Sequence, residues 1–544
     1  MPAAVVPLAH IDWRHQINAL KPWSSPETLV CADISGQPLS QAIALARAWL
    51  KDEDAPQKIR LMWLTDLASF ARQVDLHEAQ CCGVAPWAVT GLQSVCLTDS
   101  RIDLTIGVGE YEGLASKLRL QADVVVCQEQ SVIPVGLARP LALLVRLDRQ
   151  DVELLSTPQA PLAVKQSAIR RDRVSKARRV AIVGGGITGL TTAAVLADDG
   201  CEVTVVDAQR MHEGHVAAAL TPVISSDDNP RSRLSRAGAL AAGNWWREFG
   251  GQATLACGAL QLQRPAMAKR VTDLQAQAHA LDMPQWARWV GPDAASEIAG
   301  LQLSRGGIFY PGAWMVKVGE LLAHIAKTFS LQQLDHRVHR MSRVDQQWRL
   351  FDAHGALLTQ ADTVVLANAF DTVDLLKRSD LSAALDRCRR LPSLHRLAGE
   401  VTCLPATSLA GGPHCIVGGD GYVLPAVNGW CVTGGTYVRG AAEARCTEEG
   451  RVANIERARD LLSIDTITMD DKLDTLPGWA GWRAVLPGRL PAIGPLSGVP
   501  ACWVFTGGAS RGLTWSVLGA KLIRDGIKGH QPTLESDLLD MIAL

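Results

Sequence analysis

Residues 178–208 read RRVAIVGGGITGLTTAAVLADDGCEVTVVDA, and no other stretch of the chain restricts its fold as tightly. An apolar run, Val180–Val183, leads into Gly184-x-Gly186-x-x-Gly189, and a helical pattern follows from about Thr188 to Asp199. A second apolar run, Glu202–Val206, ends at Asp207, 23 residues after Gly184. Each part has a physical task in a parallel strand–helix–strand unit. Gly184 permits the tight turn, Gly186 lets the backbone approach a pyrophosphate, and Gly189 allows close packing of helix on strand. The helix N-terminus presents unpaired N–H groups and a partial positive charge to the phosphates. Asp207 is placed to accept from an adenosine ribose. A glycine-rich turn alone is a weak signal; strand, helix, second strand and terminal acid in register predict dinucleotide binding.

The fingerprint does not separate FAD from NAD, but two distant segments point to FAD. Thr363–Ala369 reads as a buried strand ending in small residues, with Ala367 at its end, of the kind that returns to the nucleotide layer. Trp503–Thr514 runs from a strand through a glycine turn into a helix, and offers Gly508, Arg511, Gly512, Leu513 and Thr514 to the flavin or its pyrophosphate. A cofactor site completed from both ends of a long segment is typical of flavoenzymes.

The 544 residues suggest about three domain-sized units. Lys and Arg number 54 against 55 Asp and Glu, so a nucleic-acid partner has to be held by a local basic patch and not by global charge. No apolar run approaches the ~20 residues that span a bilayer. The opening MPAAVV has neither a charged n-region nor a long apolar core. The 13 cysteines are scattered without a C-x-x-C pair and read as reduced thiols. Together these features predict a cytoplasmic protein with no membrane span. His336 and His339 form an H-x-x-H in what reads as strand, without a clustered third ligand, so no metal is expected.

The chain divides near residue 170. Residues 166–177 carry Arg170, Arg171, Arg173 and Lys176 with few apolar anchors, and read as an exposed linker or as a phosphate-contacting strip. Before it, the runs Thr28–Ala32, Arg60–Leu64 and Ala122–Cys127 alternate with helical spacing at Leu39–Leu50, which predicts an α/β layer with parallel strands. After it, about Arg264 to Leu301 reads as helical, and Val401–Tyr437 alternates as antiparallel strands.

Residues 178–544 resemble the FAD-dependent oxidases of the D-amino-acid oxidase and glycine oxidase superfamily. Within that group they are similar to the oxidoreductase half of the MnmC family, which modifies the tRNA wobble uridine. The stretches that carry the resemblance are GGIFYPGAWMVKVGELL (306–322), GGDGYVLPAVNGWCVTGGTY (418–437), GWRAVLPGRLPAIGP (481–495) and GGASRGLTWSVLGAKLI (507–523). It implies FAD as cofactor, tRNA as substrate and molecular oxygen as electron acceptor. The implied reaction removes the carboxymethyl group from 5-carboxymethylaminomethyl-(2-thio)uridine, giving the aminomethyl nucleoside and glyoxylate. It also implies a carboxylate clamp. Arg483, in Trp479-x-Gly481-x-Arg483, is similar to the arginine that pairs with the substrate carboxylate, and Tyr422 matches the sheet tyrosine that donates to it. A guanidinium suits this task because its planar fork meets both oxygens at once. Gly488 stands where family members usually carry Asp, and Glu213–Ala219 lacks the usual polar residues beside the flavin. Two other functions fit the same residues: an oxidase of glycine, sarcosine or another small amino acid, and a flavin-bearing tRNA-binding protein without turnover.

In full-length members of that family the front half is a methyltransferase that uses S-adenosylmethionine. Here the glycine-rich turn is replaced by Asp33-Ile34-Ser35-Gly36-Gln37-Pro38, and the later acidic and aromatic signature is absent. The expected fold is therefore α/β throughout. A degenerate Rossmann-like methyltransferase-type domain occupies 1–165 and the basic linker 166–177. A FAD-binding Rossmann-like oxidoreductase domain occupies 178–544, with an inserted antiparallel-sheet substrate domain mainly at 256–300 and 395–475.

Overall fold

A computed structural model describes residues 28–33, 38–51, 58–66, 70, 90–97, 101–118, 122, 124–127, 153–155, 162–165, 179–208, 214–263, 275, 278, 283–464, 475–530 and 532–544. They fall into two compact units, one within Met1–Val174 and Gln531–Asp537, the other within Ser175–His530 and Leu538–Leu544. The basic segment 166–177 and the turn at 34–37 lie outside the described residues.

The first unit is built on a seven-stranded sheet. Its parallel centre runs Ile102–Val108, Lys58–Thr65, Thr28–Asp33, Val124–Cys127. Gly91–Cys96 is antiparallel on one side, and Leu162–Lys165 followed by Glu153–Leu155 is antiparallel on the other. Every residue of Lys58–Thr65 after the first is buried, as expected of a strand covered on both faces.

The second unit has a six-stranded sheet ordered Gln332–Leu334, Glu202–Val206, Arg179–Val183, Thr363–Leu366, Cys502–Thr506, Ala492–Pro495. Its first five strands are parallel and the last is antiparallel. The helix Ile187–Asp198 follows the central strand, starting one residue before its expected position. Val183, Val206, Val364, Leu366 and Val504 share one buried core.

An eight-stranded, mostly antiparallel sheet forms the other half of this unit. It takes strands from Ala259–Leu262, Arg288–Val290 and Gly307–Tyr310, then from His395–Pro405, Ile416–Gly419, Gly421–Val423, Trp430–Gly434 and Gly478–Val485. One face packs on the helix Glu448–Leu462, where Val417, Val423 and Cys431 meet Ile455, Ala458 and Leu461. Glu400 is buried and ties that helix down, accepting from the N–H of Thr447 at 2.6 Å and from its hydroxyl at 2.8 Å. A carboxylate at a helix N-terminus complements the helix dipole.

Two expectations need correction. Among the described residues of 264–301, Gln275, Ala278 and Pro292–Ala299 are helical, and the strand Arg288–Val290 interrupts the stretch. The alanine-rich composition suggests a longer helix, but Pro284 and the Gly291-Pro292 pair impose breaks, because proline supplies no N–H to an interior turn. His336 and His339 lie in the loop between two strands and not within one. Among the described residues no group of His, Cys, Asp and Glu is arranged to hold a metal, and no helix is long and apolar enough to cross a membrane.

Candidate active site

The three glycines of the fingerprint each meet a different constraint. Gly184 sits at φ +107°, and a Cβ there would lie 2.5 Å from the Ala367 carbonyl oxygen. A Cβ on Gly189 would lie 1.9 Å from the Gly184 oxygen. Gly186 N-caps the helix Ile187–Asp198, and a Cβ on it would meet nothing within 4 Å. The turn is therefore closed on its inner side and open in front of the helix. Asp207 accepts from the Gly185 N–H at 2.8 Å, so the acid expected at a ribose also holds the loop.

A second helix, Gly512–Ile527, begins beside the first, since a Cβ on Gly512 would lie 3.4 Å from Cγ2 of Ile187. Gly508 turns the chain into it, with Gly512 Cα 3.3 Å from a notional Cβ, while Leu513 and Thr514 are buried in its first turn. Neither helix has a side-chain cap or an acidic residue in its first turn. Each helix leaves its first N–H groups without intrahelical acceptors. Two uncapped positive ends side by side, with open space above Gly186, fit a pyrophosphate and a polar ring edge. This donor set suits FAD. Arg511 stands at the N-cap position of this second helix, and its Nη1 donates to the Thr221 carbonyl at 3.1 Å.

The clamp residues lie on the sheet face opposite Glu448–Leu462. Tyr422 pairs with Gly434, Gly434 with Val401, and Val401 with Trp479, so these four share a face. Gly481 and Arg483 follow Trp479 at alternate positions on the same strand and face the same way. The Trp479 ring lies over Gly481, where a Cβ would come within 2.2 Å of it. This gives the W-x-G spacing a steric reason. Trp479 also stacks on His215, with centroids 4.2 Å apart and planes 7° from parallel. His215 is thus an aromatic partner of the sheet.

Arg483 Nη1 donates to the Thr436 carbonyl at 3.1 Å, and its guanidinium lies 4.5 Å from the centre of the Tyr437 ring. Among the described residues no carboxylate pairs with it. Its place depends on Gly399, where a Cβ would sit 1.6 Å from Nη1. Tyr422 is half-buried; burial pushes its phenol up to about 12, against the pull of the Arg483 charge beside it. Tyr310, buried deeply, is also raised, with Arg511 opposing. Three of the chain's four tyrosines (Tyr310, Tyr422 and Tyr437) therefore gather around Arg483 and Arg511.

Sequence reasoning singled out Tyr422 and Arg483, which the fold brings to one face, and Gly184, Gly186, Gly189, Ala367, Gly508, Gly512, Leu513 and Thr514, which it gathers around the two helix starts. It did not single out Gly399, Tyr437 or the His215–Trp479 stack. Tyr437 closes the GGTY run and was visible there; Gly399 carries no local signal, because its constraint comes from the neighbouring strand.

The family model described as FAD dependent oxidoreductase matches residues 179–525, and one described as pyridine nucleotide-disulphide oxidoreductase matches 127–221. A curated relative from Thiobacillus denitrificans, named tRNA 5-methylaminomethyl-2-thiouridine biosynthesis bifunctional protein MnmC, is 34% identical over 388 residues. That match covers 69% of this chain and 60% of the relative, so the chain spans well under two thirds of the relative's length. Glycine oxidase from Geobacillus kaustophilus is similar in structure, with TM-score 0.54 and 19% identity over 66% of this chain and 98% of that one. Iminodiacetate oxidase from Chelativorans sp. BNC1 gives 0.55 and 20% over 67% and 98%. The likeness to both structures is one of fold.

Proposed function

The chain belongs to the FAD-dependent oxidoreductase family, and from that premise we propose that it oxidises the N–CH2–COO⁻ arm of a carboxymethylaminomethyl uridine at the tRNA wobble position. The observation that carries this reading is Arg483 without a carboxylate partner, on the same sheet face as Tyr422. The name of the Thiobacillus relative supports the nucleoside as the rest of the substrate.

The guanidinium fork of Arg483 would take both oxygens of the arm's carboxylate. Tyr422 would add a hydrogen bond as donor, and a phenol pushed up to about 12 keeps its proton at neutral pH. Tyr437, Trp479 and His215 would flank the arm and exclude water from it. Bound FAD supplies the hydride acceptor. Loss of hydride from the methylene and of the proton from nitrogen leaves an imine on the substrate. Water adds to it and releases the aminomethyl nucleoside and glyoxylate. Positioning is the larger part of what the chain contributes. Molecular oxygen is the acceptor we infer for the return of the cofactor.

The same clamp suits glycine, sarcosine or another N-alkyl glycine, and this is the second reading. We read 1–165 as a methyltransferase-type module that has lost its glycine-rich turn, 166–177 as a linker, and 178–544 as the oxidoreductase. The test is mass spectrometry of wobble nucleosides from cells lacking the protein. Accumulation of the carboxymethylaminomethyl form is expected; an unchanged nucleoside profile contradicts the reading, and rapid flavin bleaching by sarcosine but not by tRNA would favour the second.

A further inference from the structure

One guanidinium suffices for one carboxylate, yet this corner of the protein holds four. Besides Arg483, Arg231 comes from the first turn of the helix Pro230–Phe249, Arg489 from the turn Pro487–Arg489, and Arg511 from the start of Gly512–Ile527. Arg231 Nη2 donates to the Gly488 carbonyl at 2.7 Å, which sets it beside Arg489. Arg511 is lowered from the ordinary guanidinium range, chiefly by burial; Tyr437 and Tyr310 oppose the shift, while the Arg231 and Arg489 charges add to it. Among the described residues none of the four has a carboxylate partner. Nearby Asp228 is already paired with Arg236 at 2.8 Å, and Asp227 accepts from Asn229. Like charges gathered without counter-ions are unfavourable until an anion arrives.

Arg231 and Arg489 are exposed, unlike Arg511, so their anion approaches from solvent. Tyr437, within reach of the Arg511 charge, is 53% exposed and has Arg483 against its ring, leaving aromatic surface on which a flat base can stack. A phosphodiester keeps its charge at every physiological pH and matches guanidinium forks.

We propose that Arg231 and Arg489 receive a phosphate of the RNA chain adjoining the reacting uridine. This rests on the RNA reading above and adds the contact that separates a nucleotide substrate from a free amino acid.

The test measures binding of a fluorescein-labelled anticodon stem–loop RNA to the flavin-loaded protein over a range of salt concentrations. Arg489→Gln, on an exposed turn, is expected to raise Kd roughly fivefold. It is also expected to reduce the slope of log Kd against log salt by about 0.7, the value for one phosphate contact on a single strand. Arg489→Lys is expected to keep the wild-type slope. A wild-type slope and Kd in Arg489→Gln would overturn the inference alone. No binding by the wild-type protein would overturn the RNA reading together with it. Displacement by polyglutamate as readily as by unlabelled RNA would assign the patch to an acidic polypeptide and overturn it as well.

Discussion

Replacing Gly399 by alanine displaces the clamp without removing any group that meets the substrate. The new Cβ would stand 1.6 Å from Arg483 Nη1, 2.5 Å from its Cζ and 2.5 Å from the Thr436 oxygen. Ordinary contact begins at 3.4 Å, so the guanidinium has to retreat by about 2 Å and loses its bond to Thr436. Gly399 does not occupy the left-handed region, so alanine adds crowding and no backbone penalty. A charged hydrogen bond contributes about 1.5–3 kcal/mol. That range corresponds to roughly 10- to 150-fold in rate or affinity, and a misplacement of about 1 Å alone can cost about 100-fold. The expected result is a fall of about 100-fold in kcat/KM for flavin reduction by a carboxylate-bearing amine, measured anaerobically by stopped flow. The flavin should remain bound, because its cradle is made by the other sheet and its helices. Thermal melts separate this from overpacking, which costs about 1–3 kcal/mol of stability. Wild-type reduction kinetics in folded, flavin-loaded Gly399→Ala would refute the assignment of Arg483 as the carboxylate ligand.

Gly189→Ala places a Cβ 1.9 Å from the Gly184 oxygen and should displace the phosphate turn; the purified variant is expected to be colourless, and a full flavin spectrum would contradict the role given to that turn. Tyr422→Phe removes one donor and should weaken binding of the carboxylate substrate about fivefold, a loss of about 1 kcal/mol, read as KM. The same variant has a signature in stability. Because the phenol is raised from 10.0 to about 12, the unfolded chain releases that proton first as pH rises, so stability falls between those values. Thermal melts spanning that interval should show a shallower decline in Tyr422→Phe; an identical decline would contradict the burial of the phenol.

Local spacing made much of this molecule legible. The fingerprint at 180–207 encodes its own strand, turn, helix and second strand in one local spacing, although the crowding at Gly184 comes from distant Ala367, and the structure differs by one residue at the helix start. The run at 503–514 is similarly self-contained. Arg483 and Tyr422 were visible only through resemblance, since nothing nearby in sequence says that they share a sheet face. Gly399 and the His215–Trp479 stack depend on register between strands and loops far apart in the chain, which no local pattern encodes. The helical reading of 264–301 holds at Gln275, Ala278 and Pro292–Ala299, and gives way to the strand Arg288–Val290 between Pro284 and Pro292.

The most direct test mixes the flavin-loaded protein, without oxygen, with tRNA carrying carboxymethylaminomethyl uridine at the wobble position. The account predicts bleaching of the flavin absorbance and release of one glyoxylate per flavin reduced. A flavin that stays oxidised while the same tRNA binds would contradict it.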